Sequence, residues 1–216
     1  MDRGSRGLIM RILRFLLILS VLIVSTAIGG DKPKAPNTDG IAALYGRFAH
    51  GHACPVAADA LLTGAHVADI FPTVPEFPYV PYRFQNVYDA GRMVPVNVSV
   101  AEDIAVYRPL EPLHFWYEIA SAAPQPGEHV WFVGYSWRDT KRAFERVVID
   151  AEVTRVIAGA LIYKPSGENG SSGSCVLNSA GLVVAINEGA VFLDNRTTVG
   201  VAVGVWGAWA PTWKRD

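Results

Sequence analysis

The sequence contains no cluster of basic residues that could neutralise a run of phosphates, so nucleic acid is not an expected partner. It shows no internal repeat of fixed period, and no window reads as a helix longer than a few turns. Repeat arrays and helical bundles are thereby set aside. Cysteine occurs only twice, at Cys54 and Cys175, which limits internal cross-linking to a single bridge. What the chain does have is 216 residues, half of them hydrophobic, enough for one substantial core or two small ones sharing a face. Its 20 Gly and 14 Pro suit many short strands joined by tight turns, so the expected class is all-β.

The net charge of -1 is unevenly placed. Residues 1–28 hold Arg3, Arg6, Arg11 and Arg14 against the single acid Asp2, followed by an apolar run from Phe15 to Ile28 and the small-residue stretch Ser25-Thr26-Ala27. Basic, then apolar, then small is the layout of a secretory signal, and Met10 offers an alternative start. An uncleaved anchor is the competing reading, because Leu8 to Ile28 has the length to cross a bilayer although Arg11 and Arg14 interrupt it. Under both readings the bulk of the chain lies outside the cytoplasm, secreted or anchored through this segment alone, and the two cysteines are free to oxidise to each other.

Residues 29–40 are polar and rich in Pro and Gly and read as a linker. From Ile41 onward short apolar runs of strand length recur between turn residues. The clearest alternation puts Val147, Ile149, Ala151, Val153 and Ile157 on one face of a half-buried strand, interrupted by Arg155. Single helical turns are expected at 65–70 and 206–213. A Pro-rich stretch over 108–128 divides the strands into an earlier and a later set, giving units of 41–112 and 113–216.

Three local patterns carry chemistry. Leu61-Leu62-Thr63-Gly64-Ala65-His66 ends an apolar strand in small residues that let a histidine stand in a cleft. Glu102-Asp103-Ile104-Ala105-Val106 leads an acid pair into a strand, where a carboxylate needs a hydrogen-bond partner such as an imidazole N–H. In Gly170-Ser171-Ser172-Gly173-Ser174, glycines flank a serine in a turn tight enough to expose its hydroxyl, with the N–H groups of Gly170 and Ser172 able to point to one spot. Taken singly, these patterns read equally as a structural histidine, a capping acid and a flexible Ser/Gly loop.

Together, in the order His, Asp, Ser and separated by 37 and 69 residues, they resemble the trypsin/chymotrypsin-like serine peptidases, with their T-A-A-H-like, D-I-A-L-like and G-x-S-G-G/S-P segments. His129 to Tyr135 and Gly181 to Gly189 are similar to strands of that family's second barrel, so the resemblance spans about residues 41–206. It implies two antiparallel β-barrels of the chymotrypsin-like type with the active site between them. It implies a serine endopeptidase acting on protein or peptide substrates without a cofactor: Ser172 as nucleophile, His66 as base, Asp103 as orienting carboxylate, Gly170 and Ser172 as oxyanion hole. Ser166 would lie near the base of the specificity pocket, with Ala185, Ile186, Asn187 and Glu188 as its wall. No acid is placed at that base, which favours an uncharged side chain in the pocket.

The resemblance has two departures. Cys175 stands where proline is usual, and the family alignment would bring Cys54 close to it, implying a Cys54–Cys175 bridge. Ser171 stands where zymogen-activated members carry an aspartate that pairs with a new N-terminus, so activation of that kind is not expected. Two other readings compete. One is a non-catalytic binding module on the same fold. The other is a metal site at His50, His52 and Cys54, which alternate onto one face of a strand but sit awkwardly for one zinc ion and lack an evident fourth ligand, so that no metal is expected. His114 and His129 read as structural or surface residues.

Overall fold

A computed structural model describes residues 33–45, 50–70, 79–84, 90–138, 143–193 and 197–207. Apart from Pro33, these belong to one compact unit, Lys34–Asp216. The signal or anchor segment at 1–28 and most of the turn expected at 206–213 lie outside the described residues. No helix among those described is long and apolar enough to cross a membrane.

Twelve strands form two closed antiparallel barrels of six strands each. The first comprises β1 (Ala42–Tyr45), β2 (His50–Ala57), β3 (Ala60–Thr63), β4 (Val80–Arg83), β5 (Ala90–Ser99) and β6 (Ile104–Pro109), closed in the order β1-β2-β3-β6-β5-β4. The second comprises β7 (His129–Arg138), β8 (Ala143–Ile157), β9 (Ala160–Lys164), β10 (Cys175–Leu177), β11 (Val183–Phe192) and β12 (Thr198–Gly204), closed in the order β10-β11-β12-β9-β8-β7. The one helix among the described residues, α1 (Ala65–Ile70), follows β3 where one helical turn is expected from the sequence. The all-β, two-barrel architecture implied by the resemblance is the one observed.

The continuous apolar runs of the sequence have a specific cause. A strand facing solvent on one side alternates apolar with polar, but β2, β3 and β10 are buried on both sides. In β2, Ala53 points into the core of its own barrel while the neighbouring Cys54 points at the other barrel. In β3, Leu61 and Leu62 divide in the same way, and in β10 Val176 faces the second barrel's core while Cys175 and Leu177 face across. Three cores result: one inside each barrel, and a third between them that joins Cys54, Val56, Leu62, Ile104 and Val106 to Val133, Cys175, Leu177, Val183 and Ile186. The expected disulfide is present within this third core, where Cys54 and Cys175 are both wholly buried.

Strand β8 departs from its sequence pattern at one end. Ile149, Ala151 and Val153 are buried as expected, but the register with β9 shifts between Val153 and Arg155. An inserted residue reverses which side chains face inward. Val156 therefore packs against the core and Ile157, expected on the buried face, is half exposed.

Candidate active site

The first component of the site is built at the joint between β3 and α1. The backbone N–H of His66 donates to Asp103 Oδ1 at 2.9 Å, and His66 Nδ1 lies 2.7 Å from Asp103 Oδ2. A carboxylate only accepts, so Nδ1 carries the hydrogen and the neutral ring leaves the lone pair of Nε2 available. The carbonyl of Asp103 accepts a third bond, from the N–H of Ala65 at 3.1 Å. Asp103 achieves this with a φ of 49°, a left-handed conformation that Asp tolerates better than most residues and that gathers at functional sites. Gly64 leaves room for the ring: a Cβ there would sit 2.7 Å from His66 Cε1.

The second component is the turn carrying Ser172. The N–H of Ser171 donates to the Glu168 carbonyl, that of Gly173 to the Asn187 carbonyl and that of Ser174 to the Ser171 carbonyl. The Ser174 hydroxyl accepts from the N–H of Val133 on β7. Below the turn, Asn187 Nδ2 donates to the buried Ser171 Oγ at 2.9 Å, while Asn187 Oδ1 accepts from the Tyr163 hydroxyl. Burial pushes the Tyr163 phenol far up, so it stays a donor.

Both peptide units that bear the expected oxyanion donors are held by their carbonyls. The carbonyl of Asn169 accepts from the N–H of Tyr135 at 2.9 Å, and the carbonyl of Ser171 from Ser174 at 3.1 Å. In a trans peptide N–H and C=O point in opposite directions, so anchoring each carbonyl aims the N–H of Gly170 and of Ser172 away from it. Neither N–H donates to another backbone group among the described residues.

The turn docks on β2 and β3 of the first barrel. The N–H of His52 on β2 donates to the Ser172 carbonyl at 2.9 Å, and a Cβ on Gly173 would lie 2.2 Å from Thr63 Oγ1, three residues before His66. Gly173, with φ of 80°, is therefore a close-approach glycine. The Ser172 hydroxyl donates to the Glu188 carbonyl at 2.8 Å, and no hydrogen bond joins Ser172 to His66 among the described residues. Glu188 is the bulged residue of β11, skipped in the pairing that joins Asn187 to Ala202 and Gly189 to Val201. Bulges of this kind re-aim a backbone group beside a site.

The remaining sequence-derived candidates fall as follows. Ser166 is half-buried. Ala185 and Ile186 are buried in the cores of the second barrel and the inter-barrel face, and Asn187 is buried in its hydrogen bonds, so of the expected wall Glu188 is the half-buried member. His50, His52 and Cys54 do not converge as a ligand set, because Cys54 is in the disulfide and His52 Nδ1 lies 2.7 Å from the Gly170 carbonyl. His129 pairs with Asp150 at 2.6 Å and stacks on Trp131. Sequence reasoning missed Tyr163; a lone Tyr on an apolar strand carries no signal of a polar network.

Burial pushes the Glu188 carboxyl up, the nearby charge of Asp103 adds to the shift and His66 opposes it. The folded protein therefore holds this proton more tightly than the unfolded chain, and stability falls as pH rises through the raised value. Glu188→Gln is expected to raise the melting temperature at about pH 8 and leave it nearly unchanged at about pH 4. A thermal melt of both proteins at the two pH values checks this; an equal effect at both would place the carboxylate in solvent.

Two closed six-stranded antiparallel barrels in this order form the architecture of chymotrypsin-like serine proteases. The sequence profile of the trypsin-like peptidase domain matches residues 51–186, and the chain belongs to that family. The fold is similar to that of a Glu endopeptidase, with a TM-score of 0.66 and 15% identity over 86% of this chain and 94% of the other. It is also similar to a serine endoprotease from Yersinia pestis, with a TM-score of 0.60 and 16% identity over 80% of this chain and 64% of the other. A third likeness is to an inactive form of a protease from M. tuberculosis, with a TM-score of 0.59 and 15% identity over 82% of this chain and 86% of the other. No curated protein sequence matches the chain.

Proposed function

We propose that the chain is a serine endopeptidase cleaving protein or peptide substrates through Ser172, His66 and Asp103. The observation that carries this reading is the grip of Asp103 on His66 through both carboxylate oxygens, which selects the tautomer whose Nε2 can take a proton. In the reaction Ser172 exchanges its bond to the Glu188 carbonyl for one to His66 Nε2, a side-chain rotation of the kind that separates resting from reacting geometry. His66 accepts the hydroxyl proton as the oxygen attacks the scissile carbonyl. The N–H groups of Gly170 and Ser172 bind the oxyanion, each contributing about 3–4 kcal/mol. The C–N bond then breaks, His66 returns the proton to the leaving amine, and water, activated by His66, releases the acid from the acyl-enzyme.

Ser166 lines the base of the pocket in this reading, and the strand from Ala185 to Glu188 borders it, with Asn187 holding the turn from beneath. An uncharged side chain enters the pocket, since the resemblance places no acid at its base. Ser171, buried and hydrogen-bonded to Asn187, replaces the aspartate that zymogen-activated members need, so the turn is held without a cleaved N-terminus. The disulfide is consistent with a working place outside the cytoplasm, reached through the apolar segment at 1–28.

A fluorophosphonate probe followed by mass spectrometry of the labelled peptide tests the reading. Labelling at Ser172, lost in His66→Ala, is the expected result. A folded wild type that neither reacts with the probe nor cleaves a peptide library, yet retains peptides, would establish the binding-module alternative instead.

A further inference from the structure

His52 is wholly buried, yet its Nε2 is the one buried side-chain nitrogen or oxygen without a hydrogen-bond partner among the described residues. Every other polar atom of this residue is engaged with the site. Its backbone N–H donates to the Ser172 carbonyl at 2.9 Å, and its own carbonyl accepts from Thr63 Oγ1 at 2.7 Å. Nδ1 lies 2.7 Å from the Gly170 carbonyl, and because a carbonyl only accepts, Nδ1 is the protonated nitrogen and Nε2 the bare one. The ring lies nearly parallel to that of Tyr135 at 5.2 Å, and Tyr135 is the residue whose N–H holds the Asn169 carbonyl.

We propose that His52 is a positioning residue of the acyl-transfer site: a neutral imidazole that latches the Gly170 carbonyl and so fixes the turn presenting the N–H groups of Gly170 and Ser172. The inference rests on the peptidase reading and adds to it a residue on the first barrel that shapes the oxyanion hole of the second. The two carbonyls held by His52 belong to the peptide units 170–171 and 172–173. Those held by Tyr135 and Ser174 belong to 169–170 and 171–172. All four peptides of the turn are therefore tethered, and the side chain of His52 supplies the one tether that is not a backbone donor. An unlatched peptide 170–171 can rotate, and its neighbour carries the Gly170 N–H. Burial is the largest influence on the imidazole and lowers its pKa to about 3; Arg146 and the neighbouring His50 act in the same direction, against the pull of the Gly170 carbonyl. The latch therefore stays neutral and in place at any pH at which a serine peptidase works.

The test compares the wild type with His52→Phe, which keeps a planar ring beside Tyr135 but removes the donor, and His52→Asn, whose side-chain N–H₂ reaches about where Nδ1 stands. With a peptide substrate, His52→Phe is expected to lose about 10²-fold in kcat with KM changed less than about twofold, and to react about 10²-fold more slowly with a fluorophosphonate. His52→Asn is expected to recover most of both. A Phe variant that melts like the wild type and keeps its kcat overturns the proposal, as does an Asn variant that folds but recovers nothing. Should the Phe variant fail to fold, nitrogen NMR of the wild type decides: a neutral ring with a slowly exchanging Nδ1–H is expected, and an Nε2–H tautomer overturns the latch. A wild type that itself never reacts with the probe would instead remove the peptidase reading, and the role of His52 with it.

Discussion

Replacing Ser172 with alanine is expected to lower kcat/KM on a peptide substrate by about 10⁴- to 10⁶-fold and to leave the melting temperature nearly unchanged. The size follows from the role proposed: without the hydroxyl there is no acyl-enzyme, and what survives is binding plus oxyanion stabilisation of direct attack by water. The small effect on stability follows from the structure. The Ser172 hydroxyl makes one hydrogen bond, to the Glu188 carbonyl, in a half-buried position, and such a bond contributes only about 0.5–1.5 kcal/mol net. Because the proposed role has the three side chains act as a unit, His66→Ala added to Ser172→Ala is expected to cost little more than either alone. Steady-state kinetics of the two single variants and the double variant read all of this. Turnover within tenfold of wild type in the serine variant would eliminate Ser172 as nucleophile.

The second large effect concerns stability. Cys54 and Cys175 are 121 residues apart in sequence, and closing a loop of that length removes roughly 5 kcal/mol of chain entropy from the unfolded state. That is comparable with the whole stability of many domains. The paired variant Cys54→Ala, Cys175→Ala is therefore expected to melt on the order of 10–20 °C lower, or to be unfolded at 37 °C. Chemical denaturation gives the free energy directly, and a loss below about 1 kcal/mol would show that the inter-barrel core holds without the bridge. Activity is expected to decline with the folded fraction and somewhat beyond it, since Cys175 follows Ser172, the proposed nucleophile, by three residues.

The legibility of the site in the sequence depended on how local each signal is. His66, Asp103 and Ser172 stand out because their neighbours are small, flexible or strand-ending for reasons of space: Gly64 clears the imidazole and Gly173 lets the turn touch Thr63. The two barrels are foreshadowed by short apolar runs, but period alone does not say that β2, β3 and β10 face two cores at once. Period also misleads. The alternation of His50, His52 and Cys54 suggests ligands on one face, yet Cys54 points into the inter-barrel core and His52 at a carbonyl 118 residues away. Ile157 fails for a similar reason, because the bulge after Val153 reverses the facing of the strand end. Glu188 owes its place to another bulge, which a single sequence does not display.

The strands that face two cores have a consequence for the lifetime of the molecule. With Cys54, Leu62, Cys175 and Leu177 shared across the contact, neither half can open without exposing the apolar face of the other, so partial unfolding exposes the shared core as well as the core of the half that opens. A peptidase is always surrounded by copies of itself, and an extended, loosened segment is the form of chain it cuts. Fusing the fates of its two halves keeps such segments rare, so any self-digestion is expected to fall on connecting loops.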